Sequence, residues 1–429
     1  MPYSPRARSL LAGFAALAAL ALAGSGQARA EAQLLIEAST GKVLHAENAT
    51  YPWYPASVTK LMTTYTTLRA IKEGRVSMNT LLTVSRNAAA MPPTHMGFKI
   101  GTTVTVDNAL KMLLVKSAND MAVVIAEGVG GSIEGFADMM NANARRLGMT
   151  QSNFVNPNGL PAENHVTSAR DLGILARALI TEYPEYDYLW HIHAIQYGNR
   201  VMRNYNSLLD RYPGADGMKT GFICASGYNV VASATRNGRR LIAIVLGAWS
   251  GGARAQKAAQ LLERGFNGGG LTWLTPALGT VDALAPIDAQ PPNLREEMCG
   301  GHRRKPPSED NDEDEPAASA SATPTGESGT GDTNNSAQAF MLSNLRPAAG
   351  KFVLGPAVET EAPIRVFTGP ADHPDTVAQF AGGGPAKKKK RVASAKADTA
   401  DKPDGQAAAK PDKKTAKKPA KPKAAAAAQ

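Results

Sequence analysis

Apolar residues recur at helical spacing through much of the first 270 positions. After Pro55 they mark one face of a predicted helix that ends near Gly74, formed by Val58, Leu61, Met62, Tyr65, Leu68 and Ile71. The same period predicts further helices over residues 107–115, 120–128, 133–147, 169–180 and 253–266. Thr105 is a suitable N-cap for the first of these, because its hydroxyl can accept a hydrogen bond from a free backbone N–H.

Short β-rich runs flank the helical region on both sides. The predicted strands are residues 34–36, 43–45, 228–236 and 239–246. Asn237-Gly238 separates the last two and is typical of a two-residue hairpin turn. Strands at both ends with helices between them predict an α+β domain over residues 31–270, with a sheet assembled from both ends of the domain.

The first 30 residues have the pattern of a secretory signal peptide. Arg6 and Arg8 precede an apolar run over residues 10–23, and Ala28-Arg29-Ala30 is a small-x-small cleavage site. The alternative is an uncleaved membrane anchor, for which this run is short. We therefore expect an exported protein that is cut after Ala30.

The sequence after residue 270 loses its periodicity. Residues 271–385 are predicted to be a mostly disordered linker with a short apolar block near 340–369, and residues 386–429 a disordered Lys/Ala/Pro-rich tail. The tail holds fourteen Lys or Arg against four Asp, a net charge of +10 that equals the net charge of the whole chain. The basic character therefore belongs to the tail and not to the folded domain.

Two interpretations of the basic tail remain open. It is either a solvated spacer or a segment that holds the protein at an anionic envelope surface by electrostatic attraction. Residues 387–391 are similar to a nuclear-import run, which has no use in an exported protein, and no nucleic-acid partner is predicted.

The chain contains two cysteines. Cys224 lies in a strand-like run and Cys299 in a polar region, and nothing in the sequence indicates that they approach each other. Export permits a disulfide, but the prediction from sequence is two free thiols.

A serine and a lysine lie at the start of the first predicted helix, in Tyr54-Pro55-Ala56-Ser57-Val58-Thr59-Lys60. Residues three apart share a helix face, so the Lys60 amine can reach the Ser57 hydroxyl. An alcohol is a weak nucleophile that needs an adjacent base, and a lysine can be that base when burial or a nearby cation lowers its pKa. Ser-x-x-Lys also occurs by chance in many helices, so the pair alone does not define a site.

A second motif, Ser117-Ala118-Asn119, lies at a turn between two predicted helices. Ser117 is a candidate for relaying a proton between Lys60 and a leaving amine. Asn119 can hold a substrate amide, because its side chain carries both a donor and an acceptor. Taken alone, this tripeptide is equally typical of a surface turn.

A third motif, Lys219-Thr220-Gly221, opens a strand that precedes the hairpin. Lys219 adds positive charge that helps keep Lys60 neutral and attracts a carboxylate, to which Thr220 can donate its hydroxyl. Gly221 allows a substrate backbone to lie close to the strand. Three motifs in this order, on helix, turn and strand, predict a functional site.

With these motifs the chain resembles the low-molecular-weight penicillin-binding proteins, a family of serine-type D-alanyl-D-alanine carboxypeptidases. The resemblance covers residues 31–270 and includes Ala38-Ser39-Thr40-Gly41, Asn156-Pro157-Asn158-Gly159-Leu160, Ser168-Ala169-Arg170-Asp171, Gly217-Met218-Lys219-Thr220-Gly221 and residues 227–234. It implies a penicillin-binding/β-lactamase-like fold, in which a helical subdomain packs against a five-stranded antiparallel sheet.

The resemblance also implies an activity and its site residues. Ser57 would be the acylated nucleophile, Lys60 its general base, and backbone N–H groups of Ser57 and of Ile223 or its neighbour the oxyanion hole. The implied roles extend to Ser117 as proton relay and to substrate binding by Asn119, Lys219, Thr220, Gly221 and Arg254.

The partners implied by this resemblance are a peptidoglycan stem peptide that ends in D-Ala-D-Ala and β-lactam antibiotics as covalent inhibitors. The expected location is the periplasm or cell envelope of a bacterium. No cofactor and no metal site are predicted, because the histidines do not have zinc-ligand spacing.

The sequence departs from the family pattern in three ways. Phe222 follows Lys-Thr-Gly where many members have a small hydroxyl residue or a histidine, so Thr220 and Arg254 would carry more of the carboxylate contact. Ala118 stands where glycine is common. The usual β-rich second domain and C-terminal amphipathic anchor are not recognisable.

Two other functions are alternatives to the carboxypeptidase. A β-lactamase of class A places a glutamate with an asparagine four residues later, and none of the glutamates between Lys60 and Lys219 has this neighbour. A non-catalytic wall-binding protein acting through its tail would not need the complete set of motifs that this chain retains.

Overall fold

A five-stranded antiparallel sheet forms the centre of the structure, a computed structural model that describes residues 31–267, 278–301, 354–357 and 361–372. Its strand order is β2-β1-β9-β8-β7. These strands are β1 (Ala32–Glu37), β2 (Val43–Glu47), β7 (Ala215–Ile223), β8 (Gly227–Arg236) and β9 (Arg239–Ala248). Since β1 pairs with β9, the sheet is assembled from both ends of the domain, and the α+β prediction is confirmed.

Alternate residues of the strands face two separate apolar layers. Leu34, Val231 and Ile244 belong to the larger core, under the helical subdomain. Leu35 and Val245, one position along, belong to a smaller core under the last long helix. The sheet is therefore covered on both faces, which explains why β8 and β9 are apolar almost throughout.

The helices and the smaller strands complete the domain. The helices are α1 (Lys60–Lys72), α2 (Arg86–Ala89), α3 (Val106–Val115), α4 (Asn119–Gly130), α5 (Ile133–Leu147), α6 (Ala169–Glu182), α7 (Leu208–Arg211), α8 (Gly251–Asn267) and α9 (Arg295–Cys299). The smaller strands are β3 (Leu81–Thr83), β4 (Thr103–Thr105), β5 (Ala194–Tyr197), β6 (Arg200–Arg203) and β10 (Ile364–Arg365). Helix α8 packs on the face of the sheet opposite to α1, α3, α4 and α6.

The predicted local signals have the expected structural roles. The Thr105 side chain accepts a hydrogen bond from Asn108 N and caps α3. Asn237 and Gly238 both adopt positive φ, at 50° and 74°, as a tight two-residue hairpin between twisted strands requires. None of the helices in the described ranges combines the length and apolar content needed to cross a membrane.

The prediction of two free thiols is wrong, because Cys224 and Cys299 form a disulfide. Residues 278–301 pack against the domain and bring the two Cα atoms within 5.7 Å of each other. Val281 N donates to Gly41 O and Val281 is fully buried, so this packed segment begins well before the cysteine. The link was invisible in the sequence because the cysteines are 75 residues apart.

A further packed segment comes from the predicted apolar block near 340–369. Strand β10 pairs in parallel with β5, and Val366 and Phe367 beside it are buried. The linker prediction did not anticipate these packed segments. The predicted signal peptide (1–30), the rest of the linker and the basic tail (386–429) lie outside the described residues.

Two glycines without near neighbours provide a test of the hairpin geometry. An added Cβ would meet no atom within 4 Å at Gly238, which has positive φ, or at Gly252, in the first turn of α8. We expect Gly238→Ala to destabilise the domain by about 1 kcal/mol, because a Cβ disfavours left-handed backbone. We expect Gly252→Ala to stabilise it by about 0.5 kcal/mol, because alanine has fewer unfolded conformations to lose. Urea unfolding midpoints that shift in the same direction for both variants would contradict this account.

Candidate active site

The first helix begins with one turn of 3₁₀ helix, Ala56–Thr59, that continues directly into α1. This turn places Ser57 one turn before Lys60, with 2.8 Å between Lys60 Nζ and Ser57 Oγ. The Lys60 side chain is fully buried, whereas Ser57 is half-buried and faces the cleft beside β7. The pair predicted from the sequence is therefore in direct contact.

Three other oxygen atoms converge on the Lys60 amine. Its Nζ donates to Asn119 Oδ1 at 2.8 Å, to the Asn158 carbonyl at 2.9 Å and to Ser117 Oγ at 3.3 Å. Each of these acceptors is uncharged, as is Ser57 Oγ. The arrangement places two hydroxyls on the same nitrogen.

The turn between α3 and α4 brings Ser117 and Asn119 to this point. Thr94 Oγ1 donates to Ser117 O at 2.7 Å, and Asn119 Nδ2 donates to Pro92 O at 3.1 Å. Both residues of the second motif are buried, at 0% and 4% exposure. The loop between α2 and β4 thus fixes the orientation of the motif. The sequence alone located this motif only at a turn.

Strand β7 carries Lys219, Thr220 and Gly221 and forms one edge of the sheet. A Cβ added at Gly221 would lie 2.7 Å from Ser57 N, so only glycine allows the 3₁₀ turn to approach the strand this closely. Lys219 is buried, and its Nζ donates to the Thr220 carbonyl at 3.0 Å. All three sequence motifs therefore meet at one place.

The hydroxyl of Thr220 is buried, and no hydrogen-bond partner for it exists among the described residues. Buried hydroxyls in folded proteins nearly always have a partner. Its position, one residue from Lys219 on the edge strand, suits a group that completes its hydrogen bond when a ligand is present.

Backbone strain is found beside each of the three motifs. Ala56, Ser117 and Met218 adopt positive φ values of 49°, 59° and 81°. Side chains with a Cβ rarely occupy this region because the Cβ collides with the backbone. The surrounding packing therefore holds the three motif segments in conformations that they would not adopt alone.

Phe222 and Ile223, which follow Lys-Thr-Gly, differ in the direction of their backbone N–H groups. Ile223 N donates to Ser226 Oγ at 3.3 Å, inside the turn to β8. Backbone groups of an edge strand point alternately toward the neighbouring strand and away from it, so the N–H of Phe222 faces the open edge. The geometry therefore favours Phe222, the neighbour of Ile223, as the second candidate oxyanion donor beside Ser57.

The aromatic ring of Phe222 is half-buried and packs against Tyr228, with 4.3 Å between ring centroids. It lies against the smaller core under α8. The departure from the family pattern at this position thus places a half-buried ring against that core.

Arg254 on α8 is buried at 4% exposure. Its Nη1 lies 3.4 Å from Asn229 O, its Nη2 lies 3.4 Å from Tyr205 O, and the guanidinium is 5.6 Å from the centre of the Tyr228 ring. Asn229 is opposite Gly221 in the β7–β8 pair, so Arg254 approaches the third motif from the neighbouring strand. Its predicted contact with a substrate carboxylate stays a prediction.

Sequence reasoning gave no role to the loop 156–165, which closes the site. Besides the Asn158 carbonyl on Lys60, this loop supplies His165, whose Nε2 is 2.9 Å from Thr59 Oγ1. Val155 N donates to His165 Nδ1, so Nε2 carries the proton and donates to Thr59. Burial lowers the pKa of His165 to about 4. Asn156-Pro157-Asn158-Gly159-Leu160 was the available sequence signal for this loop.

Comparisons with known proteins agree with this fold. The chain is 37% identical over 245 residues to the D-alanyl-D-alanine carboxypeptidase DacC of Escherichia coli (strain K12), covering 55% of this chain and 61% of that protein. Penicillin binding protein 6B from Escherichia coli is similar in structure with a TM-score of 0.53 and 35% identity, over 55% of this chain and 76% of that one. Penicillin-Binding Protein D2 from Listeria monocytogenes in its ampicillin-bound form is similar with a TM-score of 0.51 and 29% identity, over 55% of this chain and 97% of that one.

The fold is that of the penicillin-binding class of proteins. Residues 19–250, more than half of the chain, match the peptidase S11 family, described as D-alanyl-D-alanine carboxypeptidase, and the chain belongs to that family. The resemblance noted in the sequence is confirmed. The chain spans about three fifths of the length of the curated relatives that it matches.

Buried His165 predicts an acid-sensitive active-site loop. Its folded-state pKa of about 4 lies below the unfolded value of 6.5, so its contribution to stability is complete above pH 6.5 and is lost as pH falls toward 4. The loss amounts to about 3 kcal/mol. We expect His165→Gln to be less stable than the parent at pH 7 but to lose less unfolding free energy between pH 7 and pH 4, as measured by urea unfolding.

His191 provides the matched control for this measurement. It is exposed, and its hydrogen bond to Asp187 raises its pKa, so it stabilises the protein at low pH. His191→Gln should therefore lose stability on acidification at least as steeply as the parent. A pH dependence of His165→Gln equal to that of the parent would show that the loop does not depend on neutral His165.

Proposed function

We propose that this protein is a serine-type D-alanyl-D-alanine carboxypeptidase that removes the terminal D-alanine from peptidoglycan stem peptides. The observation that carries the proposal is the contact of one buried amine, Lys60 Nζ, with both Ser57 Oγ and Ser117 Oγ. Membership of the peptidase S11 family and 37% identity to a D-alanyl-D-alanine carboxypeptidase support it.

Acylation begins at Ser57. In its neutral form Lys60 accepts the Ser57 proton across 2.8 Å as Oγ attacks the carbonyl of the penultimate D-alanine. The negative charge that develops on the carbonyl oxygen is stabilised by the backbone N–H groups of Ser57 and Phe222. Lys60 then passes a proton through the Ser117 hydroxyl to the nitrogen of the departing D-alanine, so that the peptide C–N bond breaks with a neutral leaving group.

Substrate orientation comes from the edge strand and from Asn119. Lys219 and Thr220 bind the terminal carboxylate, with the buried Thr220 hydroxyl as donor, and Arg254 adds positive charge from the neighbouring strand. Asn119 holds a peptide amide with its side chain. Water then attacks the acyl-enzyme. The Lys60–Ser117 pair takes up the water proton and returns it to Ser57 Oγ as the ester bond breaks and the shortened peptide leaves.

A β-lactam carries a carboxylate like that of this substrate and a strained ring amide in place of the peptide bond, and it acylates the same serine. The ampicillin-bound structure of the Listeria monocytogenes relative supports β-lactam binding at this site. Between Lys60 and Lys219, where class A β-lactamases carry it, the chain lacks the glutamate and asparagine spacing that these enzymes use to activate water. The carboxypeptidase is therefore favoured over the β-lactamase on the same fold.

Acylation by penicillin tests the nucleophile. We expect one penicilloyl adduct on the Ser57 peptide by mass spectrometry, no adduct in Ser57→Ala, and a normal adduct in Ser39→Ala, which removes an exposed serine in the β1–β2 turn. The adduct should be long-lived, because no additional base activates water. An adduct on another residue, or sustained hydrolysis of a chromogenic cephalosporin, would contradict the proposal.

We further propose that the basic tail holds the enzyme at an anionic envelope surface. Each Lys or Arg near such a surface contributes about 1 kcal/mol, and salt screens this attraction. Residues 386–429 carry a net charge of +10, which is enough for several simultaneous contacts.

Deleting residues 386–429 separates the tail's role from catalysis. Cleavage of a soluble peptide ending in D-Ala-D-Ala should be unchanged, because the proposed site residues all lie between Ser57 and Arg254. Co-sedimentation with isolated cell envelope should weaken, and the difference from the full chain should shrink as salt is raised. Equal and salt-independent binding by both forms would favour the solvated spacer.

A further inference from the structure

A cleft of about 310 Å³ lies beside the proposed active site. Its floor includes Tyr54, Ala56 and Ile223, which adjoin Ser57 and the third motif. One wall is the loop 159–163, and the other is formed by Asn293 and Arg295 at the start of α9. The second wall lies outside residues 19–250, the part of the chain that matches the family.

The segment 293–299 is attached to the end of β7 by several independent contacts. The disulfide joins Cys299 to Cys224, Leu294 N donates to Ala225 O at 3.0 Å, and Met298 is buried at 2% exposure. The wall that carries Arg295 is thus fixed to the same strand end that holds the candidate oxyanion donor.

The two walls carry opposite charges. Arg295 is the one cation and Glu163 the one carboxylate among the residues that line the cleft, and both are exposed. Neither side chain forms an ion pair with another residue in the ranges that the structure describes. Both charges are therefore available to a ligand.

The direction of a bound peptide follows from the order of groups along β7. If Lys219 and Thr220 hold the terminal carboxylate and Phe222 faces the scissile carbonyl, the acyl part of the peptide continues past Ile223 and Ala225. An extended peptide on an edge strand keeps this direction because it follows the backbone hydrogen bonds. The acyl part then enters the cleft between loop 159–163 and Arg295.

We infer that Arg295 is a specificity-determining residue that binds a carboxylate on the acyl side of the stem peptide, held in place by the Cys224–Cys299 disulfide. The inference rests on the proposed carboxypeptidase function. A guanidinium binds a carboxylate with two parallel hydrogen bonds, and the Asn293 side chain beside it offers a further donor.

Two peptides that end in D-Ala-D-Ala distinguish this role. In one, the residue before D-Ala-D-Ala carries a free side-chain carboxylate, and in the other that carboxylate is amidated. We expect the full-length protein to prefer the acid, and Arg295→Gln to lower kcat/KM for the acid about tenfold while leaving the amide nearly unchanged. Arg295→Lys should recover part of the loss, because it restores the charge without the planar fork.

The controls separate positioning from folding. Arg264→Gln removes a similar exposed charge from α8, on the opposite face of the sheet, and should leave both peptides unaffected. Cys224→Ser with Cys299→Ser should reproduce the selective loss for the acid, with the rate of penicillin acylation retained.

Each outcome has a distinct meaning. Equal cleavage of acid and amide by the parent protein, or an equal loss for both peptides in Arg295→Gln, overturns the inference and leaves the carboxypeptidase intact. Retention of the acid preference in the double serine variant overturns the role of the disulfide. Failure of the parent protein to cleave either peptide overturns the proposed function and this inference together.

Discussion

The buried amine of Lys60 is the group on which the arrangement of the site depends. A buried polar group is costly unless it has hydrogen-bond partners, and the partners of Lys60 come from three separate segments. Ser57 belongs to its own helix, Ser117 and Asn119 to the turn before α4, and the Asn158 carbonyl to the closing loop. Hydrogen bonds to this one nitrogen therefore come from residues up to 98 positions away from Lys60 in the sequence.

Much of the fold was predictable because its signals are local. The helical period located α3 to α6 within a few residues, Thr105 marked the start of α3, and Asn237-Gly238 identified the hairpin. The site motifs were recognisable for the same reason, since each is a short run of residues with its own chemistry. Their convergence at Lys60 and Gly221 depends on tertiary packing. From the sequence, this convergence could be expected only because the order of the motifs resembles that of a known family.

The errors concern contacts that no local pattern records. Cys299 reaches Cys224 because residues 278–301 follow the surface of the domain through bonds such as Val281 N to Gly41 O, in a stretch without periodicity. His165 is likewise a single polar residue in a loop. Its part in the site follows only from its burial and its hydrogen bond with Thr59. Long-range backbone pairing and burial had to be observed in the structure.

The position of the 3₁₀ turn also bears on self-association. Strand β7 is an edge strand, and an open edge can recruit a strand from a second molecule and start aggregation. The turn at Ser57 lies against Gly221 in the second half of that strand, so an incoming strand would meet this backbone before it could form a continuous ladder. The contact that brings Ser57 against β7 thus also makes the exposed edge of the sheet a poor template for polymerisation.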